Sequence, residues 1–281
     1  MPQKLFLVLL LLAPASQAAD FLFATHKLNV PQTKSLNALQ ALCGYASIEF
    51  DITYLASNNE AINKTTNRHI NQMLCGAFYA LDKCDFGDRI MTDAELENVV
   101  EMTAADILKT QQGWLNSGAK NCSATGSAFT VKIEPQYFGH YHGLEQIMID
   151  DTEYPGGADS YYLRYLLLTP DGKRLEYHDL FLPGSDEKLQ LPLAEAWNNR
   201  EEVKKGNGFP KDEESDFPQT NNLFSYTNNL LFTAQGLMVH YQHYEIASFA
   251  EGDPQLVIPY EKLKGILKDK YLPLPNKTPA P

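Results

Sequence analysis

The chain has 281 residues, 44% of them apolar, and 35 acidic residues against 23 basic ones give a net charge of −12. That length suits one large domain or two small ones. The acid excess argues against nucleic acid as a partner; it suits a basic partner and also serves solubility.

Residues 1–18 read as a secretory signal peptide. Lys4 gives the positive start, and Leu5–Leu12 is an apolar core far short of the roughly 20 residues a bilayer span needs. Ser16-Gln17-Ala18 is a small-x-small cleavage site, so the mature chain is expected to begin at Ala19 and to be periplasmic or secreted. No later apolar run is long enough to span a membrane. Cys43, Cys75, Cys84 and Cys122 are even in number, which in an exported chain favours two disulfides, with three pairings open. No Cys-x-x-Cys spacing supports zinc.

The first half alternates strand and helix signals. Ser47–Tyr54 sets Ile48, Phe50, Ile52 and Tyr54 on one face and Glu49, Asp51 and Thr53 on the other, as a half-buried strand does. From Asn59 to Leu74 the period becomes helical, with Cys75 placed to tie the helix to a neighbour. A second helix is expected from Thr92, where Thr92 and Glu95 have capping-box spacing, and Gly113 with Asn116-Ser117-Gly118 is expected to stop it.

Strands dominate the second half. Phe129–Ile133 and Glu145–Asp150 are short candidates. Tyr161–Thr169 is apolar on both faces and reads as a central strand. Pro170-Asp171-Gly172 turns the chain, and Lys173–Leu180 is expected to return antiparallel. Leu191–Lys205 looks helical, and residues 206–222 form a polar, acidic, breaker-rich loop. The closing segment reads as a strand from Leu230, a turn at Ala234-Gln235-Gly236, a tyrosine- and histidine-rich strand, a last strand at Gln255–Ile258 and a helix over Tyr260–Lys270. A loose tail follows.

Three stretches resemble the domain of unknown function shared by the ectodomains of RsiV-type anti-sigma factors and the non-catalytic part of PdaC-type peptidoglycan deacetylases. They are Tyr154-Pro155-Gly156-Gly157-Ala158-Asp159, Thr169–Phe181, and Gly236–Leu267, where Tyr244-Glu245-Ile246-Ala247 and Ile258-Pro259-Tyr260 are the most typical residues. Ile48–Tyr54 and the helix containing Ile62-Asn63 are similar to that family's usual N-terminal companion. This chain has Asp159 where the family has histidine, and the four cysteines lie outside the family's pattern. The resemblance implies a sensing or binding module without a membrane span, a sigma-binding segment or a deacetylase domain. In the RsiV type that module binds lysozyme. The division it implies is a signal peptide at 1–18, an N-terminal βα segment with the cysteines at 19–125, an RsiV-like domain at 126–270 and a tail at 271–281.

Few constellations suggest chemistry. His140 and His142 would share a face on a strand and could reach one metal ion, with His178, Asp179 or Asp159 as a third ligand. The plainer reading is an aromatic loop between Gly139 and Gly143. His240 and His243 would point to opposite faces of a strand. Asp150-Asp151, Glu201-Glu202 and Glu213-Glu214 read as solvated, because adjacent residues do not converge. No Gly-x-Ser-x-Gly motif frames a serine. Tyr137, Tyr141, Tyr154, Tyr161, Tyr162, Tyr241 and Tyr244 supply rigid contact area with polar tips, which suits protein or sugar surfaces.

The expected fold is α+β, an antiparallel sheet packed on a few helices with the N-terminal βα segment docked on it. The function read from the sequence is a non-enzymatic binding protein of the bacterial envelope, without a cofactor. Its partner would be a peptidoglycan-active protein such as lysozyme, or peptidoglycan itself, and its binding surface would include Tyr154, Asp159, Tyr161, Tyr244 and Glu245. The alternatives are a metal-assisted or accessory cell-wall glycan hydrolase, with His140, His142 and Asp159 near its site, and an immunity protein against a secreted toxin.

Overall fold

A computed structural model describes residues 21–29, 31–44, 47–77, 85–123, 128–154, 160–200, 224, 226–247 and 252–273. Residues 1–18, read above as a signal peptide, Cys84, Asp159, the expected acidic loop at 206–222 and most of the expected tail lie outside these residues. Six strands form the larger sheet in chain order: β1 (Thr25–Lys27), β2 (Ser47–Leu55), β3 (Ala128–Tyr141), β4 (Leu144–Tyr154), β5 (Ser160–Leu168) and β6 (Arg174–Leu175). The smaller sheet is β7 (Leu230–Phe232), β8 (Gly236–His240) and β9 (Gln255–Pro259). The fold is α+β, as the sequence indicates. Every pairing is antiparallel except β2 with β3, which run parallel from Ser47↔Ala128 to Ile52↔Ile133.

A parallel neighbour needs a long crossover, and α2 (Glu60–Ala77) and α3 (Asp93–Asn116) provide it. The starts of both helices lie within a residue of where the sequence puts them, whereas α2 runs three residues past Leu74. At the start of α3, Thr92 Oγ1 accepts from the Glu95 amide and the Glu95 carboxylate accepts from the Thr92 amide. Gly113 does not stop α3, which runs on to Asn116. The helix α1 (Lys34–Cys43) packs on α3, and a Cys43–Cys122 disulfide ties its end to the segment beyond α3. Cys75 is disulfide-bonded too. Since β2 hydrogen-bonds to β3, the expected segments 19–125 and 126–270 share one sheet.

The alternation of β4 explains how one sheet serves two cores. Ile147 and Ile149 face the helices and join Ile52, Ile62, Ile70, Leu96, Val100 and Ile133 in the first core. Met148 faces the other way and meets Tyr165, Leu231 and Met238. Beyond them the smaller sheet packs with α4 (Tyr177–Leu180) and α5 (Asp186–Asn198) around Leu180, Leu193, Leu237, Ile258 and Leu267.

Side-chain amides join the two sheets where backbone pairing is missing. Gln146 is buried; its Oε1 accepts from Phe232 N at 2.7 Å and its Nε2 donates to Phe232 O at 3.1 Å. Along β5, Asn229 Oδ1 accepts from Tyr165 N at 3.1 Å, and the Gln242 amide both accepts from Leu163 N and donates to Leu163 O. An exposed strand edge carries unpaired backbone groups, and these two residues satisfy both groups of Leu163 and the amide of Tyr165 on the edge of β5.

Several sequence expectations change. β5 is not central: its next neighbour, β6, pairs with only two of its residues. Its two faces are both apolar because a helix layer covers one and the smaller sheet the other. The return strand is cut to Arg174–Leu175 because Glu176 and Asp179 cap the turn of α4 that follows. β3 is far longer than Phe129–Ile133. Pro135 does not interrupt it, since pairing to β2 has already ended at Ile133 and no bond on that side needs the missing N–H. α5 starts at Asp186, ahead of the expected Leu191, and contains Pro192. The closing helix is two short 3₁₀ turns, Tyr260–Leu263 and Asp269–Tyr271, separated at Gly265 with φ 73°.

Candidate groove beside the strand β5

The face that carries apolar Ile147 and Ile149 continues, by the same two-residue period, to Asp151 and then Glu153. Across the ladder Asp151 pairs with Tyr162, and Arg164 lies two residues further along the same face of β5. These residues line an open groove of about 410 Å³. Its walls are Gln72, Met73 and Gly76 from α2 on one side and Asn229 and Gln242 on the other.

Asp151 is 3% exposed and its Oδ1 has no hydrogen-bond partner among the described residues. Burial pushes its carboxyl up to about 7; Glu153 adds to the rise and Arg164 opposes it. Burial also raises Glu153 above the usual carboxylate range. The Arg164 guanidinium is directed at His69 on α2, with Nη1 3.3 Å from Nδ1. Burial, with the nearby charges of Arg174, Arg164 and Arg68, lowers His69 to about 3, so His69 is neutral and its ring nitrogen can accept from Arg164. A carboxyl that titrates near neutrality on a groove floor can donate a hydrogen bond as the acid or pair with a cation as the base.

A second polar group lies at the junction of the sheets. Tyr241 to Ala247 is a turn and not a strand, so His240 and His243 are no longer on opposite faces. They flank one carboxylate: His240 Nε2 is 3.4 Å from Asp253 Oδ2, and His243 Nδ1 is 3.4 Å from Asp253 Oδ1. Burial lowers His240, and Asp253 partly offsets this. The Tyr165 ring is tilted against His240, with centroids 5.2 Å apart; Tyr161 and Tyr162 lie 5.8 and 5.4 Å from His243. Each imidazole approaches a different oxygen of Asp253, and no three His, Cys, Asp or Glu side chains among the described residues are arranged to hold a metal ion.

The other residues singled out from the sequence fall as follows. His140 and His142 do not share a strand face. The strand ends at Tyr141, and His142 sits in the turn to β4 with φ 50°. His140 Nδ1 is 2.9 Å from Glu145, which also accepts from Tyr137, while the His142 ring meets Tyr141 and Phe232 edge-to-face. His178 is in α4, and Asp179 is occupied as its cap and in a bond to Lys173. Tyr161 is beside His243. Tyr244 is 66% exposed and has φ 67°, a left-handed conformation uncommon for a bulky residue. Glu245 is exposed and caps its own turn by accepting from Gln242 N at 2.8 Å. Only the backbone of Tyr154 is described, and Asp159 lies outside the described residues. Asp151, Glu153 and Arg164 were missed as site residues. The signal for Asp151 was the alternation itself, which puts it in phase with Ile147 and Ile149.

Comparison with known proteins finds a family model that matches part of the chain. Residues 178–261 match the family model described as "Protein of unknown function (DUF3298)". That segment begins at α4 and takes in α5 and the whole smaller sheet. A crystal structure of a DUF3298 family member from Bacteroides fragilis has a TM-score of 0.62 at 17% identity, over 88% of this chain and 94% of that one. A DUF3298 family protein from Pseudomonas aeruginosa has a TM-score of 0.53 at 19% identity, over 91% and 96%. At such identities the likeness is one of fold, and it extends well outside residues 178–261. No curated protein matches.

Proposed function

We propose that this protein is an exported, non-enzymatic binding module of the bacterial envelope. It recognises a basic peptidoglycan-active protein such as lysozyme, through the face that carries the Asp151 groove, Tyr162 and Tyr244. The observation that carries this reading is the pairing of exposed tyrosines with an acidic groove: Tyr162 is 42% and Tyr244 66% exposed, and Asp151 and Glu153 lie beside Tyr162. Tyrosines of this kind are frequent anchors in protein interfaces. The left-handed backbone of Tyr244 holds its ring outward at a conformational cost, which is commonest where a side chain has work to do. The net charge of −12 would speed encounter with a basic partner. The resemblance to RsiV-type ectodomains, the leader-like residues 1–18 and the disulfide support export and this class of partner. No helix among the described residues is long and apolar enough to cross a membrane.

The test is calorimetric titration of the oxidised mature protein with a basic c-type lysozyme at low and physiological salt. Saturable binding that persists at physiological salt is expected. Binding that vanishes as salt rises would reduce the signal to unspecific attraction between opposite charges, and no binding at either salt would remove lysozyme as the partner.

A further inference from the structure

The groove itself carries chemistry that a flat tyrosine surface does not. Its floor is a carboxylate with an unsatisfied oxygen, and an unpartnered buried charge is costly unless something arrives to pair with it. A second carboxylate, Glu153, stands two residues along on the same face, and the partly exposed ring of Tyr162 forms the adjoining wall. Arg164 is the cation nearest the floor, but it is engaged with His69, and Asp151 Oδ1 still lacks a partner.

We propose that this groove takes a primary ammonium group, such as the end of a lysine side chain on a partner protein. The ammonium would pair with Asp151, with Glu153 as second acceptor, and its methylene stem would lie on the Tyr162 ring. An ammonium has three donors and no acceptor, which matches two acceptor-only carboxylates. An aromatic face attracts both the cation and the alkyl stem. An anion would meet two carboxylates, and among the described residues no third ligand is placed to complete a metal site. The proposal rests on reading this face as a recognition surface, and it adds what enters the groove.

The groups facing Asp151 fix how binding depends on pH. They are Glu153 on its own strand, Tyr162 and Arg164 on β5, and His69 of α2 behind Arg164; Asp150 points to the opposite face. An ammonium pairs with the ionised carboxylate only. With the free carboxyl at about 7, affinity for an amine that stays protonated throughout is expected to rise about tenfold from pH 6 to pH 8.

The experiment is an NMR titration of the whole mature protein with n-butylamine at fixed ionic strength, with n-butanol as the neutral control. Saturable shifts of the Tyr162 and Gln242 signals with the amine alone, strengthening from pH 6 to pH 8, are expected. Asp151→Asn should abolish that pH dependence and weaken binding at least tenfold, and Glu153→Gln should weaken it less. Thermal unfolding of each variant checks that it is folded. The proposal is overturned if butanol matches butylamine, if affinity does not rise with pH, or if folded Asp151→Asn binds as wild type does. Amine binding without lysozyme binding would keep the groove and discard lysozyme. Lysozyme binding without amine binding would do the reverse.

Discussion

Asp151→Asn should make this protein more stable, and increasingly so as pH rises. The side chain is buried, and its folded value of about 7 lies above the ordinary aspartate value of 3.8. A carboxyl raised on folding favours the folded state at low pH, where it is protonated. That advantage is lost as pH climbs from the unfolded value through the folded one. Taking these two values, ionisation of Asp151 costs about 4 kcal/mol at pH 8, of which about 2.5 kcal/mol accrues between pH 5 and pH 8. Asparagine keeps the shape and cannot ionise. Urea unfolding of both proteins at pH 5 and pH 8 should therefore show the stability difference moving toward the variant by about 2.5 kcal/mol. His69 and His240, both lowered by burial, cost stability as pH falls through about 6.5, inside this window, but they act alike in both proteins and cancel in the difference. A difference that does not change with pH, or that moves against the variant, would refute the burial argument for Asp151.

Two further predictions concern the scaffold. Gln146→Ala should cost about 2–4 kcal/mol in urea unfolding, because it strands both the N–H and the C=O of Phe232 at a buried junction; a loss below 1 kcal/mol would show that the sheets do not depend on this amide. Replacing Cys43 and Cys122 together by serine opens a loop with a sequence separation of 79 and should lower stability by about 4 kcal/mol on chain entropy. A melting temperature unchanged from the oxidised wild type would count against that disulfide.

Elements with an unbroken period were legible in the chain. β2, α2 and the capped start of α3 lie where their apolar spacing and the Thr92–Glu95 pair put them, and the Ala234-Gln235-Gly236 turn joins β7 to β8 as expected. Gly236 is needed there because a Cβ would lie 2.0 Å from Ile258 O. What was not legible depends on partners distant in sequence. β5 looks central because its two apolar faces record burial without saying what buries them. Pro135 looks like a strand breaker unless one knows that β2 has already stopped pairing at Ile133. The candidate site divides the same way. Tyr244 and Glu245 stand out in a family-like segment, and Tyr161 stands out as one of the group of tyrosines. Asp151 was read with Asp150 as a solvated pair, although the two sit on opposite faces of β4 and only Asp151 is buried. His240 and His243 meet at Asp253 because the strand ends at His240, which a run of β-formers such as Val239, Tyr241 and Tyr244 conceals.

On the proposed reading, one face, built from β5 and the turn after β8, recognises a basic envelope-active protein. Hydrogen exchange of the mature protein with and without a c-type lysozyme tests it most directly. Slowed exchange confined to residues 160–165 and 241–247 is the predicted result. Slowed exchange elsewhere, with these two segments unchanged, would contradict it.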